Sequence, residues 1–67
     1  MKNILINGKN KEFDNMQTLS QIIKELEIED KVMAAALNMN IVKKENWSSC
    51  IPNDNDKLEL LEFVGGG

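Results

Sequence analysis

Apolar positions change their spacing several times along this chain, and each change marks an element. Ile4-Leu5-Ile6 is a β-branched-rich run stopped by Asn7-Gly8, and Lys9 to Asp14 follows with Phe13 as its one apolar anchor. Two strand-like pieces around an Asn-Gly pair predict an opening hairpin that turns near residues 7 to 10. Thr18 is followed three positions later by Gln21, the spacing of a capping box, which satisfies two otherwise unpaired backbone N–H groups. Leu19, Ile22, Ile23 and Leu26 then fall at i, i+3, i+4 and i+7, so an amphipathic helix is predicted over residues 19 to 27. Glu25, Glu27, Glu29 and Asp30 crowd its exit. Negative charge there opposes the helix dipole and weakens the last turn. The cluster reads as a solvated exit loop, with a docking site for a basic partner as the alternative.

Val32 to Leu37 is apolar without helical spacing and includes three alanines. Alanine favours helix, but the run is short, a helix has just ended, and Asn38-Met39-Asn40 supplies a turn before Ile41-Val42. Strands are therefore expected at 32 to 37 and 41 to 43, with the small alanines letting the helix lie close to the sheet. Lys44-Glu45-Asn46-Trp47 reads as one helical turn that carries the single tryptophan inward, since a Trp brings a large apolar area to a small core. Pro52 and Asn53-Asp54-Asn55-Asp56 form a loop, in which asparagine can adopt a left-handed turn conformation.

Lys57 to Val64 is the final strand, and its apolar residues occupy both faces: Leu58 and Leu60 on one, Leu61 and Phe63 on the other. Either a β-bulge shifts the phase and buries all four, or Leu61 and Phe63 stay partly exposed as a docking patch. The order is ββαββ, a helical turn, then a last strand. It predicts an α+β fold: a mixed sheet of four to five strands with one main helix across one face and the first and last strands side by side in the centre. This is the ubiquitin-like β-grasp arrangement, with residues 1–64 as the domain and 65–67 as a flexible glycine tail.

Length and charge narrow the function. Sixty-seven residues hold one domain and one small core. There is no histidine, and Cys50 is the single cysteine. It reads as an apolar filler rather than a nucleophile or ligand, metal and His-based acid–base chemistry are disfavoured, and a reducing, cytoplasmic compartment fits. Eight lysines and no arginine stand against eleven acids, for a net charge of −3. No basic stripe suits nucleic acid, no apolar run approaches the roughly 20 residues of a membrane span, and Ile4-Leu5-Ile6 is too short for a signal peptide core. The expected partners are proteins, and the free chain is expected to be a monomer.

Gly65-Gly66-Gly67 has no fold to specify, because glycine loses the most entropy on ordering and packs no side chain. Three extended residues reach about 10 Å, enough for a slim arm with a carboxylate to enter a space too narrow for a Cβ. A frayed terminus is the plain alternative.

Ala34-Ala35-Ala36-Leu37-Asn38, then Ile41-Val42, Glu45-Asn46-Trp47, Asn55-Asp56-Lys57-Leu58-Glu59-Leu60 and Phe63-Val64-Gly65-Gly66-Gly67 together resemble the sulfur carrier family of thiamine biosynthesis across essentially the whole chain. Two positions depart from it: Lys43 stands where a proline often follows the Ile-Val pair, and Asn55 where a Gly-Asp turn often precedes the last strand. Both are turn positions. The resemblance implies a carrier and co-substrate rather than an enzyme. A ubiquitin-activating-type adenylyltransferase would use ATP to adenylate the Gly67 carboxylate, with no cofactor bound by the chain itself. A persulfide donor such as a cysteine desulfurase would supply the sulfur of a thiocarboxylate, and thiazole synthase would receive it. Gly66 and Gly67 would be the working pair, with Leu61, Phe63, Val64 and Gly65 as the docking segment. The residues agree in so far as no GxxxxGK[ST] loop is present to bind ATP. The alternatives are the small sulfur-carrying subunit of molybdopterin synthase, a β-grasp interaction module without sulfur chemistry, and a ubiquitin-like modifier joined to lysines.

Overall fold

The structure is a computed structural model and describes residues 1–63. Val64, Gly65, Gly66 and Gly67 lie outside the described residues, and the last strand, expected to run to Val64, already ends at Glu62.

Asn7 and Gly8 have φ of 48° and 85°, the paired positive values of a type I′ turn, whose twist matches that of the strands it joins. They connect β1 (Lys2–Ile6) to β2 (Lys9–Phe13) in an antiparallel pair running from Ile6↔Lys9 to Lys2↔Phe13. Helix α1 (Leu19–Glu25) starts at Thr18 with both halves of the capping box in place and buries Leu19, Ile22 and Ile23. It ends before residue 27. The Glu27 N–H donates to the Lys24 carbonyl and the Ile28 N–H to the Ile23 carbonyl, with Glu27 at φ 60°. These are the two bonds of a Schellman stop, and Ile28 packs on the core beside Ile23. The stop usually carries glycine at the left-handed position, so a glutamate there gave no warning in the sequence.

Strand β3 (Val32–Leu37) lies where expected, while β4 (Asn40–Val42) starts one residue before the expected 41 to 43. Asn38 and Met39, both at positive φ, make the turn between them and free Asn40 to pair with Leu37. A 3-10 helix at Lys44–Ser49 buries Trp47, whose indole N–H donates to the Val42 carbonyl at 2.9 Å. Asn55 has φ 70°: asparagine tolerates the left-handed turn here. Strand β5 (Lys57–Glu62) completes a five-stranded sheet of order β2-β1-β5-β3-β4, parallel between β1 and β5 and antiparallel elsewhere. Among the described residues no helix is long and apolar enough to cross a membrane.

Alternation divides the sheet. Ile4, Ile6, Phe13, Val32, Ala35, Leu58 and Leu60 face α1 and the 3-10 helix and are buried with Leu19, Ile22, Ile23 and Trp47. The expected choice between a bulge and an exposed patch resolves with both features present but on different strands. The register slips between Val32 and Ala34, so the bulge lies in β3, where it keeps Val32 and Ala35 inward and turns Met33 out. In β5 the phase is unbroken: Leu60 is 6% exposed and Leu61 is 62% exposed.

Among the described residues Lys2 is the one charged side chain that is buried, at 2% exposure. Its ammonium donates to the carbonyls of Asn15, Gln17 and Pro52 at 3.3, 2.7 and 2.9 Å. Three donors meet three acceptors, which pins the β2–α1 connection and the loop before β5 to the start of β1. Burial lowers the Lys2 pKa from its usual 10.5, against the opposing pull of Asp14, Asp56 and Cys50.

Candidate functional site

The face of the sheet away from α1 has no covering layer among the described residues, and its chemistry follows from register. Ala36 pairs with Ile41 on one side and Glu59 on the other, and Ala34 pairs with Leu61. Paired residues point to the same face, so Ile41, Ala34, Ala36, Glu59 and Leu61 share the outer one. The two alanines make a low floor between the taller Ile41 and Leu61, giving a shallow groove of about 240 Å³ that Asn7 also lines. This corrects one expectation. Only Ala35 faces the helix side; Ala34 and Ala36 have the opposite parity and shape the outer groove.

Ile41 and Leu61 line this floor, and Phe63 follows Leu61 two positions on. Ile41 is 72% exposed, Leu61 62% and Phe63 60%. The Phe63 N–H donates to the Lys31 carbonyl, so the chain stays tied to the start of β3 after regular pairing ends at Glu62. Glu59 is the one ionisable side chain lining the groove, so the surface offers shape and apolar area rather than acid–base machinery. Cys50 is half-buried at the end of the 3-10 helix, against the core, with its carbonyl taking the Leu19 N–H at 2.7 Å. Among the described residues no group of three or more His, Cys, Asp or Glu is placed to hold a metal ion. Lys2 lies far from the groove: Leu5 pairs with Lys57, which puts Lys2 and Leu61 about seven strand positions apart, roughly 23 Å.

Of the residues singled out from the sequence, Leu61 and Phe63 are thus exposed at the end of β5, while Val64, Gly65, Gly66 and Gly67 lie outside the described residues. Sequence reading missed Ala34, Ala36 and Ile41: period-2 counting from Val32 would set Ala34 and Ala36 on the inner face, and only the bulge before Ala34 reverses them. It also missed the side chain of Asn7, which bonds both backbone groups of Leu60 and for which the Asn-Gly pair signalled a turn and nothing more.

Comparison with known proteins points the same way. Residues 4–67 match the ThiS family. The chain is 30% identical to the sulfur carrier protein ThiS of Escherichia coli strain K12, over 96% of this chain and 97% of that protein. It is 34% identical to part of a thiazole synthase of Paramagnetospirillum magneticum, over 96% of this chain, which spans only 20% of that relative. The crystal structure of a thiamine biosynthesis protein (ThiS) from Geobacter metallireducens superposes with a TM-score of 0.78 at 26% identity, over 97% of this chain and 99% of that one. A mixed five-stranded β-grasp with one helix across it, and a match that runs from β1 through the last glycine, establish that the chain belongs to the ThiS family.

Proposed function

We propose that this protein is a sulfur carrier for thiazole formation in thiamine biosynthesis, and that it carries the sulfur on the carboxylate of Gly67. One observation bears most of the weight: the family match continues through Gly65-Gly66-Gly67, directly after a strand end whose large apolar side chains, Leu61 and Phe63, face outward. A patch for docking and a slim reactive arm are then adjacent in sequence.

The chemistry follows from the group itself. An α-carboxylate is ionised at neutral pH, so its oxygen attacks the α-phosphorus of ATP without a local base, and pyrophosphate leaves. The resulting acyl adenylate has a good leaving group. A persulfide sulfur attacks the carbonyl carbon and AMP departs, leaving an acyl disulfide; a thiol then attacks the donor's own sulfur, forming a disulfide with it and releasing the thiocarboxylate. Glycine suits this end because no Cβ crowds the attacked carbonyl. ATP is bound and used by a ubiquitin-activating-type adenylyltransferase, and a cysteine desulfurase or similar persulfide donor provides the sulfur. Thiazole synthase is the acceptor, and the likeness of this chain to a segment of a protein named thiazole synthase supports that pairing. The outer-face groove and the Leu61–Phe63 end serve as the docking surface.

The test is reconstitution. The chain, the adenylyltransferase, ATP and a persulfide donor are incubated and the intact mass is followed. Exchange of one oxygen for one sulfur, dependent on ATP, is the expected result; an unchanged mass with an enzyme that loads another ThiS protein overturns the reading.

A further inference from the structure

β1 and β5 run side by side but do not end together. β1 stops at Ile6, opposite Leu58, and the chain turns back into β2, whereas β5 continues to Glu62. Past that point β5 has no neighbouring strand on the β1 side among the described residues. Asn7 fills the first vacated step. Its backbone N–H donates to the Leu58 carbonyl at 3.0 Å. Its side chain then reaches one rung further: the Leu60 N–H donates to Oδ1 at 2.8 Å, and Nδ2 donates to the Leu60 carbonyl at 3.2 Å. A carboxamide offers the same donor and acceptor as a peptide group, so Asn7 imitates a strand residue after the strand itself has left. A type I′ turn favours asparagine at this φ of 48°, but it does not require that the amide bond both backbone groups of Leu60.

Leu60 is the last buried residue of β5, and Leu61 and Phe63 are exposed immediately after it. We propose that Asn7 is a positioning residue for the end of β5: its amide fixes the strand at Leu60 and so fixes how Leu61 and Phe63 are presented to the activating enzyme. This rests on the carrier reading for its consequence, though the clamp itself does not.

Asn7→Gly tests it, because glycine accepts the turn conformation and removes only the amide. In the wild type and the variant, hydrogen exchange at the Leu60 amide is compared with exchange at the Leu5 amide, which bonds the Asp56 carbonyl at the other end of the same strand pair. Loss of the clamp is expected to speed Leu60 exchange about tenfold while Leu5 is unchanged. Sulfur loading is measured in parallel with the adenylyltransferase, ATP and a persulfide donor. A broadened segment lowers the fraction of chains ready to engage, so KM for the variant rises several-fold while kcat stays as it was. Asn7→Asp keeps the left-handed tolerance and the acceptor for the Leu60 N–H but sets a carboxylate oxygen against the Leu60 carbonyl in place of the donor, so Leu60 exchange quickens and KM rises by less than in Asn7→Gly; it also serves if the glycine variant folds poorly. Faster Leu60 exchange with unchanged KM overturns the positioning role, as does raised KM with unchanged exchange. A wild type that takes no sulfur overturns the carrier reading and this consequence of it, whereas a defect confined to the Asn7 variants supports both.

Discussion

Leu60 and Leu61 are neighbours in one strand, identical in chemistry, and live in opposite worlds: 6% and 62% exposed. The difference belongs to the two faces of the sheet. The inner face is closed by α1 and the 3-10 helix around Ile4, Leu58 and Trp47. The outer face offers Ile41, Leu61 and a floor of alanines to whatever comes next. What separates stability from docking here is parity along a strand rather than residue type.

The sharpest way to test that separation is to remove a leucine from each side. Leu58→Ala deletes a fully buried side chain and is expected to cost about 2–5 kcal/mol. A domain of this length holds roughly 3–10 kcal/mol in total, so chemical denaturation should show a fold near collapse. If Leu58→Ala were as mild as a surface change, the inner face would not be the core.

Next in size is the charge that closes the inner face. Lys2→Met leaves the carbonyls of Asn15, Gln17 and Pro52 without their donor and is expected to cost about 1–3 kcal/mol, read as a lowered midpoint at neutral pH. The pH dependence has a definite sign. Lys2 titrates below 10.5 in the fold, so between the folded value and 10.5 the unfolded chain binds more protons and stability from this group rises with pH. Below the folded value the cost of burying the ammonium is present in full. Lys2→Met should lack that alkaline rise; an identical profile would mean the ammonium is not desolvated.

These two residues also show how far the sequence could be read. The 3.6-residue spacing of Leu19, Ile22, Ile23 and Leu26, the capping box and the Asn-Gly turn are local signals, and each element they predict is present. The fold class followed from their order. What escaped were non-local matters. The Schellman stop uses Glu27 where glycine is the usual marker, and the β3 bulge shows only once β5 sets the register. The burial of Lys2 has no local signal, because its three carbonyls come from two distant loops. At the candidate site, Leu61 and Phe63 could be singled out but their exposure could not be chosen over burial, since that choice depended on which strand carried the bulge.

Smaller effects belong to the β3–β4 turn and the outer face. Met39 sits at φ 71° and is 87% exposed, a left-handed conformation that strains a side chain with a Cβ. Met39→Gly is expected to raise stability by a few tenths to about 1 kcal/mol, visible as a higher thermal midpoint; a loss would show that the methionine packs on something. The smallest expected change in stability, within about 0.5 kcal/mol, is for Leu61→Ala or Phe63→Ala. Both should nevertheless weaken capture by thiazole synthase or the adenylyltransferase in a titration. The full effect appearing in stability, with binding intact, would erase the distinction between the faces.

The central claim is that the reactive part of this chain is one carboxylate, and tandem mass spectrometry of the sulfur-loaded protein tests it most directly. The expected result is an exchange of one oxygen for one sulfur, localised to Gly67 and lost when Gly67 is deleted. Addition of a whole sulfur at Cys50, as a persulfide that survives deletion of Gly67, would contradict it.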